Sequence, residues 1–162
     1  MRTTNQPPNS KGVLKIITLI HLALCSSILL LGIVVLFITE NARLNFADTE
    51  DLFFYVVPLF AIVAASASHL VFQKNLKQVH EKSSLKEKLV HYQTSKIIQF
   101  AMIEAPTFLG IVIFLITSNQ FYLIVSALLL AYLVVLRPSA SMMKENLNLN
   151  ADQDRAFKES FR

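Results

Sequence analysis

IITLIHLALCSSILLLGIVVLFI, running from Ile16 to Ile38, is a stretch of 23 residues without one charged side chain. A helix crosses ~30 Å of hydrocarbon in about 20 residues at 1.5 Å each, so this run is long enough to span a membrane unaided. Three more apolar segments follow, Leu52–Phe72, Ile97–Thr117 and Phe121–Leu136. The last has 16 residues. It must borrow from Ser118–Gln120 or sit in a thinned bilayer.

The charges between the segments fix a direction. Fourteen of the fifteen Lys and Arg residues fall on one side, and only Arg43 joins the acidic loop from Glu40 to Asp51. Basic loops stay in the cytoplasm, which predicts cytoplasmic N and C termini. The expected fold is therefore all-α: a polytopic membrane protein with four transmembrane helices arranged as two packed hairpins. Residues 1–12, with Pro7 and Pro8, read as a disordered cytoplasmic lead. Residues 13–137 form the membrane domain and 138–162 a cytoplasmic tail. The long first run lacks a small-x-small cleavage site after it, so it reads as a retained span rather than a signal peptide.

Composition excludes several classes. Hydrophobic residues make up 54% of the 162 and charged residues 16%, against about 25% charged in soluble domains. Four spans and their connections leave no room for a separate soluble domain. The net charge of +4 is accounted for by loops that meet anionic lipid, which argues against nucleic acid. Cys25 is the lone cysteine, so the chain has neither an internal disulfide nor a cysteine metal motif. No paired acids, HExxH or Ser/His/Asp set appears, and the expectation is a non-enzyme without a cofactor.

Local signals refine the spans. Pro58 predicts a kink in the second. Ala61, Ala64, Ala65 and Ser68 bring small residues four apart onto that helix, a pattern that lets helices approach closely in lipid. Ser84 followed by Glu87 fits a capping box, and a helix started there runs unbroken into the third span with Leu85, Leu89 and Tyr92 on one face. Ser118-Asn119-Gln120 forces spans three and four into a tight antiparallel hairpin. Arg137-Pro138 stops the fourth, and Asn150 can cap a short surface helix in the tail. The run Leu31–Asn41 matches Leu109–Asn119 at seven of eleven positions. This suggests that spans one and two repeat spans three and four, with Gly32 and Gly110 as equivalent helix-packing positions.

Glu104 is the one charged side chain well inside a span. By helix rise it lies about 10 Å from the inner interface, beside Ala105-Pro106. His21, Cys25, His69 and Gln99 fall in the same depth layer. A carboxyl there favours the neutral form unless a histidine pairs with it, and a Glu–His pair can pass a proton or hold a metal. The competing reading is a polar cluster that ties helices together by hydrogen bonds. The outer halves of spans one and three favour that second reading, because they consist almost wholly of Leu, Ile, Val and Phe and offer an ion no polar lining.

Gln99 to Pro106, followed by Leu109-Gly110, resembles the ion-carrying helix of rotary ATPase proteolipid subunits. The chain departs from that pattern by having three glycines and by placing its glutamate in the first helix of the hairpin, so that assignment is not adopted. A broader resemblance is to small four-span membrane proteins of Bacteroidota-type bacteria with no assigned function. It rests on Leu85-x-x-Lys88-Leu89-x-x-Tyr92, Ile97-Ile98, Glu104-Ala105-Pro106, Leu115-Ile116-Thr117-x-Asn119 and Leu136-Arg137-Pro138-Ser139. It implies a multi-pass bundle of the bacterial inner membrane and carries no activity with it. The expected function is an accessory or scaffold component acting through helix packing, with the lipid bilayer, a second copy or other membrane subunits as partners. The alternative is a small proton or ion transporter using Glu104, His21 and His69.

Overall fold

The computed structural model describes residues 9–46 and 50–162. Most of the expected disordered lead, and the centre of the acidic loop, lie outside the described residues. The rest is helical: α1 (Ser10–Ile38), α2 (Phe53–His80), α3 (Leu85–Thr117), α4 (Gln120–Val135), α5 (Ala140–Leu147) and α6 (Ala151–Glu159). α1, α2 and α3 are each long and apolar enough to cross a membrane, and α4 joins them if it is counted with α5 across a 75° bend.

Capping residues set the boundaries. Asn9 accepts from the Gly12 amide at the start of α1, Ser84 from Glu87 at the start of α3, and Asn119 from Phe121 at the start of α4. Each side-chain oxygen satisfies one of the orphan amides of a first turn. Pro58 lies inside α2, which continues through it. Ser118 takes φ 56° and turns the chain in two residues, so the α3–α4 hairpin is as tight as expected.

The helices alternate in direction, and the chain has a basic end, where α1 and α3 begin, and an acidic end with Arg43, Glu50 and Asp51. α3 is the hub. It packs against α1, α2 and α4, whereas α1 and α2 scarcely touch among the described residues. The expected first hairpin is therefore not a packed pair; each of its helices leans on α3 instead. The reason is visible in the burial. α1 buries a narrow line, Ser10, Ile17, His21, Ile28 and Val35, while α3 buries residues on a much wider face.

The acidic end is tied by backbone. Arg43 donates its amide to Ser118 O (2.9 Å) and accepts from the Gln120 amide (2.8 Å). Asn119, 1% exposed, uses its side-chain amide to hold Asn45 in both directions. The Tyr122 hydroxyl donates to Asp51, and Phe121 stacks between Phe46 and Phe54. At the basic end the tail folds back under the bundle. Met143, Leu147 and Phe157 are buried, and Lys88 donates to the last carbonyls of α5, Leu147 O and Asn148 O. α6 starts at Asn150 with a capping box to Gln153. The hydrogen bonds from Lys158 and Lys144 hold the Asp154 carboxyl below the usual carboxylate range.

Candidate functional site

The polar groups of the basic half were expected to share one layer. The structure divides them. His21 and Cys25 stand one turn apart on α1, with the Cys25 sulfur 3.8 Å from His21 Nε2. His21 is buried and its ring meets Phe100 edge-on at 5.1 Å. Its Nε2 lies 2.8 Å from Leu133 O. A carbonyl only accepts, so Nε2 carries the proton, and Nδ1 has no partner among the described residues.

That carbonyl lies in the last turn of α4, where the helix tightens. Arg137 donates to Val134 O instead of reaching four residues back to Leu133 O. The Leu133 carbonyl takes the Leu136 amide at 3.1 Å in place of its regular donor four residues on, and the histidine N–H adds a second donor from α1. This fastens α1, the least buried of the three long apolar helices, to α4.

Lys96 is the residue that the charge pattern hides. Counted among loop lysines, it is 1% exposed and lies on the inner face of α3. Its Nζ donates to Gln99 Oε1 at 3.0 Å and lies 4.2 Å from the centre of the Phe72 ring, with Phe100 5.9 Å away. Among the described residues no carboxylate comes within ion-pair distance of it. The rings of Phe72 and Phe100 offer their negative faces in place of an anion. A signal for this was present. Leu85, Leu89, Tyr92, Lys96, Gln99 and Ile103 follow a 4-3-4-3-4 spacing, and all are buried. Extending the face already read from Leu85, Leu89 and Tyr92 by one heptad puts Lys96 inside.

Phe100 joins the two parts, touching His21 on one side and approaching Lys96 on the other. The arrangement is a tie between four helices: α1 through His21, α2 through Phe72, α3 through Lys96, Gln99 and Phe100, and α4 through Leu133 O. Glu104 and His69 stay outside it. His69 is exposed on α2. Glu104 is partly exposed on α3 and makes no hydrogen bond or ion pair among the described residues. No three His, Cys, Asp or Glu side chains gather as metal ligands among the described residues.

The helix-packing positions also divide. Ala61, Ala64 and Ser68 are buried on one line of α2 with Val57, Phe72, Leu76 and Val79. That seam is spent inside the chain, which removes it as a face for a second copy. Ala65 is half-buried and lines, with Pro58, Ile62, Val125 and Leu128, an apolar groove of about 310 Å³ between α2 and α4. Gly110 is a close-approach site: a Cβ there would stand 2.2 Å from Ser126 Oγ and 3.1 Å from Tyr122 O. Gly32 is not, since its nearest neighbours would be side-chain carbons at 3.8 and 3.9 Å.

Beyond these residues the buried side chains of the acidic half are mostly apolar. Ile111, Ile113, Phe114 and Val35 are buried, and the hydroxyls of Thr107 and Ser126 are turned onto backbone, Thr107 onto Ile103 O and Ser126 onto Thr107 O and Tyr122 O. No family model matches the chain, and neither a curated protein nor a solved structure matches it.

Proposed function

We propose that the chain is a multi-pass protein of a bacterial inner membrane, with both termini in the cytoplasm, that serves as a non-enzymatic scaffold or accessory subunit. The observation that carries this reading is how its interior polar groups are used. His21, Lys96, Gln99, Thr107 and Ser126 each bond a group of the bundle itself. Two of these bonds, His21 to Leu133 O and Ser126 to Thr107 O, run between helices and are of the kind that holds helices together in lipid. Lys96 to Gln99 and Thr107 to Ile103 O lie within α3, and all are spent on the bundle rather than aligned for relay. The acidic half, closed by Asn119 and the aromatic cluster of Phe46, Phe54 and Phe121, gives an ion no polar lining. A transporter reading needs Glu104, His21 and His69 on one path. His21 is bonded to α4, and His69 sits on an exposed face of α2.

Two measurements test this. Purified protein in liposomes with an entrapped pH dye is expected to leak protons no faster than protein-free vesicles. A robust flux that disappears in Glu104→Gln would overturn the scaffold reading. For orientation, in a Cys25→Ser background, Glu40→Cys is expected to react with an impermeant thiol reagent in intact spheroplasts and Ser83→Cys to stay protected. Reversed labelling would overturn the topology.

A further inference from the structure

We infer that α3 carries the face through which two copies of this chain associate, with the Glu104 carboxyls of the two copies bonded to each other near a two-fold axis along the membrane normal. This rests on the membrane reading above.

Glu104 is the only charged residue between Ile97 and Thr117. It lacks a hydrogen bond or ion pair among the described residues and is partly exposed at the side of α3. Hydrocarbon cannot satisfy a carboxyl, and ionisable groups inside spans therefore face a partner or a cavity. The nearby donors of the same chain are directed elsewhere, His21 Nε2 to Leu133 O and Lys96 Nζ to Gln99 and the Phe72 ring. Lys96 is also two turns away along α3, about 12 Å by helix rise.

The depth of Glu104 selects its partner. Copies inserted by the same basic-inside bias share one orientation, so a symmetric pair has its axis along the membrane normal. Equivalent residues then meet at equal depth. The exposed His69 of a second copy does not. It lies one turn above Phe72, over which Lys96 sits, while Glu104 lies two turns above Lys96, a mismatch of roughly 7 Å. A protonated carboxyl both donates and accepts, so one Glu104 is complementary to another without a second residue type.

The surroundings permit the approach. Ala101 and Ala105 are exposed on either side of Glu104 along the helix, between exposed Ile98 and Val112. Small side chains four residues apart allow backbones to come close in lipid. On α2 the comparable line of Ala61, Ala64 and Ser68 is already buried; on α3 it is open.

The test uses the full chain, Cys25→Ser, reconstituted in liposomes and oxidised with copper phenanthroline. Ala105→Cys and Ala101→Cys are expected to give disulfide dimers, whereas Leu19→Cys on α1 and Ile62→Cys on α2, both exposed, are not. Adding Glu104→Leu should lower the Ala105→Cys dimer roughly five- to tenfold, the loss of about one interhelical hydrogen bond, and Glu104→Gln should retain it. Equal crosslinking at all four sites, or an Ala105→Cys dimer indifferent to Glu104→Leu, overturns the inference. Reaction of the Ala105→Cys thiol with a water-soluble impermeant reagent would instead overturn the membrane reading beneath it. A protected thiol that fails to crosslink overturns the dimer alone.

Discussion

Leu31–Asn41 and Leu109–Asn119 are nearly the same sequence and do different work. Both close a helix that runs from the basic to the acidic end. Both use a threonine to bond the carbonyl four residues back, Thr39 to Val35 O at 2.7 Å and Thr117 to Ile113 O at 2.8 Å. A left-handed residue follows each, Asn41 or Ser118. Yet Val35 is the one buried residue of the first run, while Gly110, Ile111, Ile113, Phe114 and Asn119 are all buried in the second. α1 touches the bundle along a line and α3 is surrounded on three sides. An apolar run with a given ending encodes a helix and its depth. Its neighbours are set elsewhere, by which helix the others choose to pack against.

The glycines offer the strongest way to break this comparison. At Gly110 an added methyl collides with Ser126 Oγ, which is held by two carbonyls, and presses on the Tyr122 carbonyl. Gly110→Ala is expected to cost about 3 kcal/mol, the scale of overpacking in a tight site. At Gly32 the same methyl meets only ordinary contacts, so Gly32→Ala is expected to be neutral or to gain up to ~1 kcal/mol of helix propensity. Unfolding in detergent micelles by SDS titration measures both. Equal losses would mean that the two runs are structural equivalents after all.

How far the chain was legible follows the same division. The spans, the tight α3–α4 turn and the Ser84 and Asn150 caps could be read because each has a local cause: apolar length, a short connection, a side chain that accepts an amide. The packing of α1 and α2 on α3 could not, since in lipid most apolar faces are interchangeable. His21 was legible as a polar residue in a span. Its partner was not, because a backbone carbonyl at Leu133 has no signature in the sequence. Lys96 was concealed by a rule that counts lysines as loop charges, although its spacing placed it on the buried face. The tie between Arg43 and Asn119 uses backbone and amide groups and leaves a still weaker trace.

That tie gives the next comparison. Asn119 caps α4 and bonds the backbone of Asn45 twice. Asn119→Ala is expected to cost about 2 kcal/mol, one cap plus buried hydrogen bonds, and to raise amide exchange across residues 43–45. Asn41, its counterpart in the first run, is exposed and takes φ 54°. Asn41→Gly keeps that backbone available and is expected to change stability by less than about 0.5 kcal/mol. A matching loss at both sites would show that the first run also anchors a loop.

The threonines sharpen the comparison from the other side, because here the two runs agree. Each hydroxyl donates to a carbonyl of its own helix, and both side chains are half-buried. Such back-bonding adds little to a helix, and the Val35 carbonyl also receives the Thr39 amide. Thr39→Val and Thr117→Val keep the branched shape and remove only the hydroxyl. Each is expected to shift stability by about 0.5 kcal/mol or less, and by the same amount within error. If Thr117→Val alone is costly, the hub position of α3 extends to its last turn, where the Thr117 hydroxyl also accepts from the Asn119 amide at 3.3 Å. Equal small effects would place the boundary between the two runs one residue later, at Ser118, where the second run starts to hold the acidic end and the first does not.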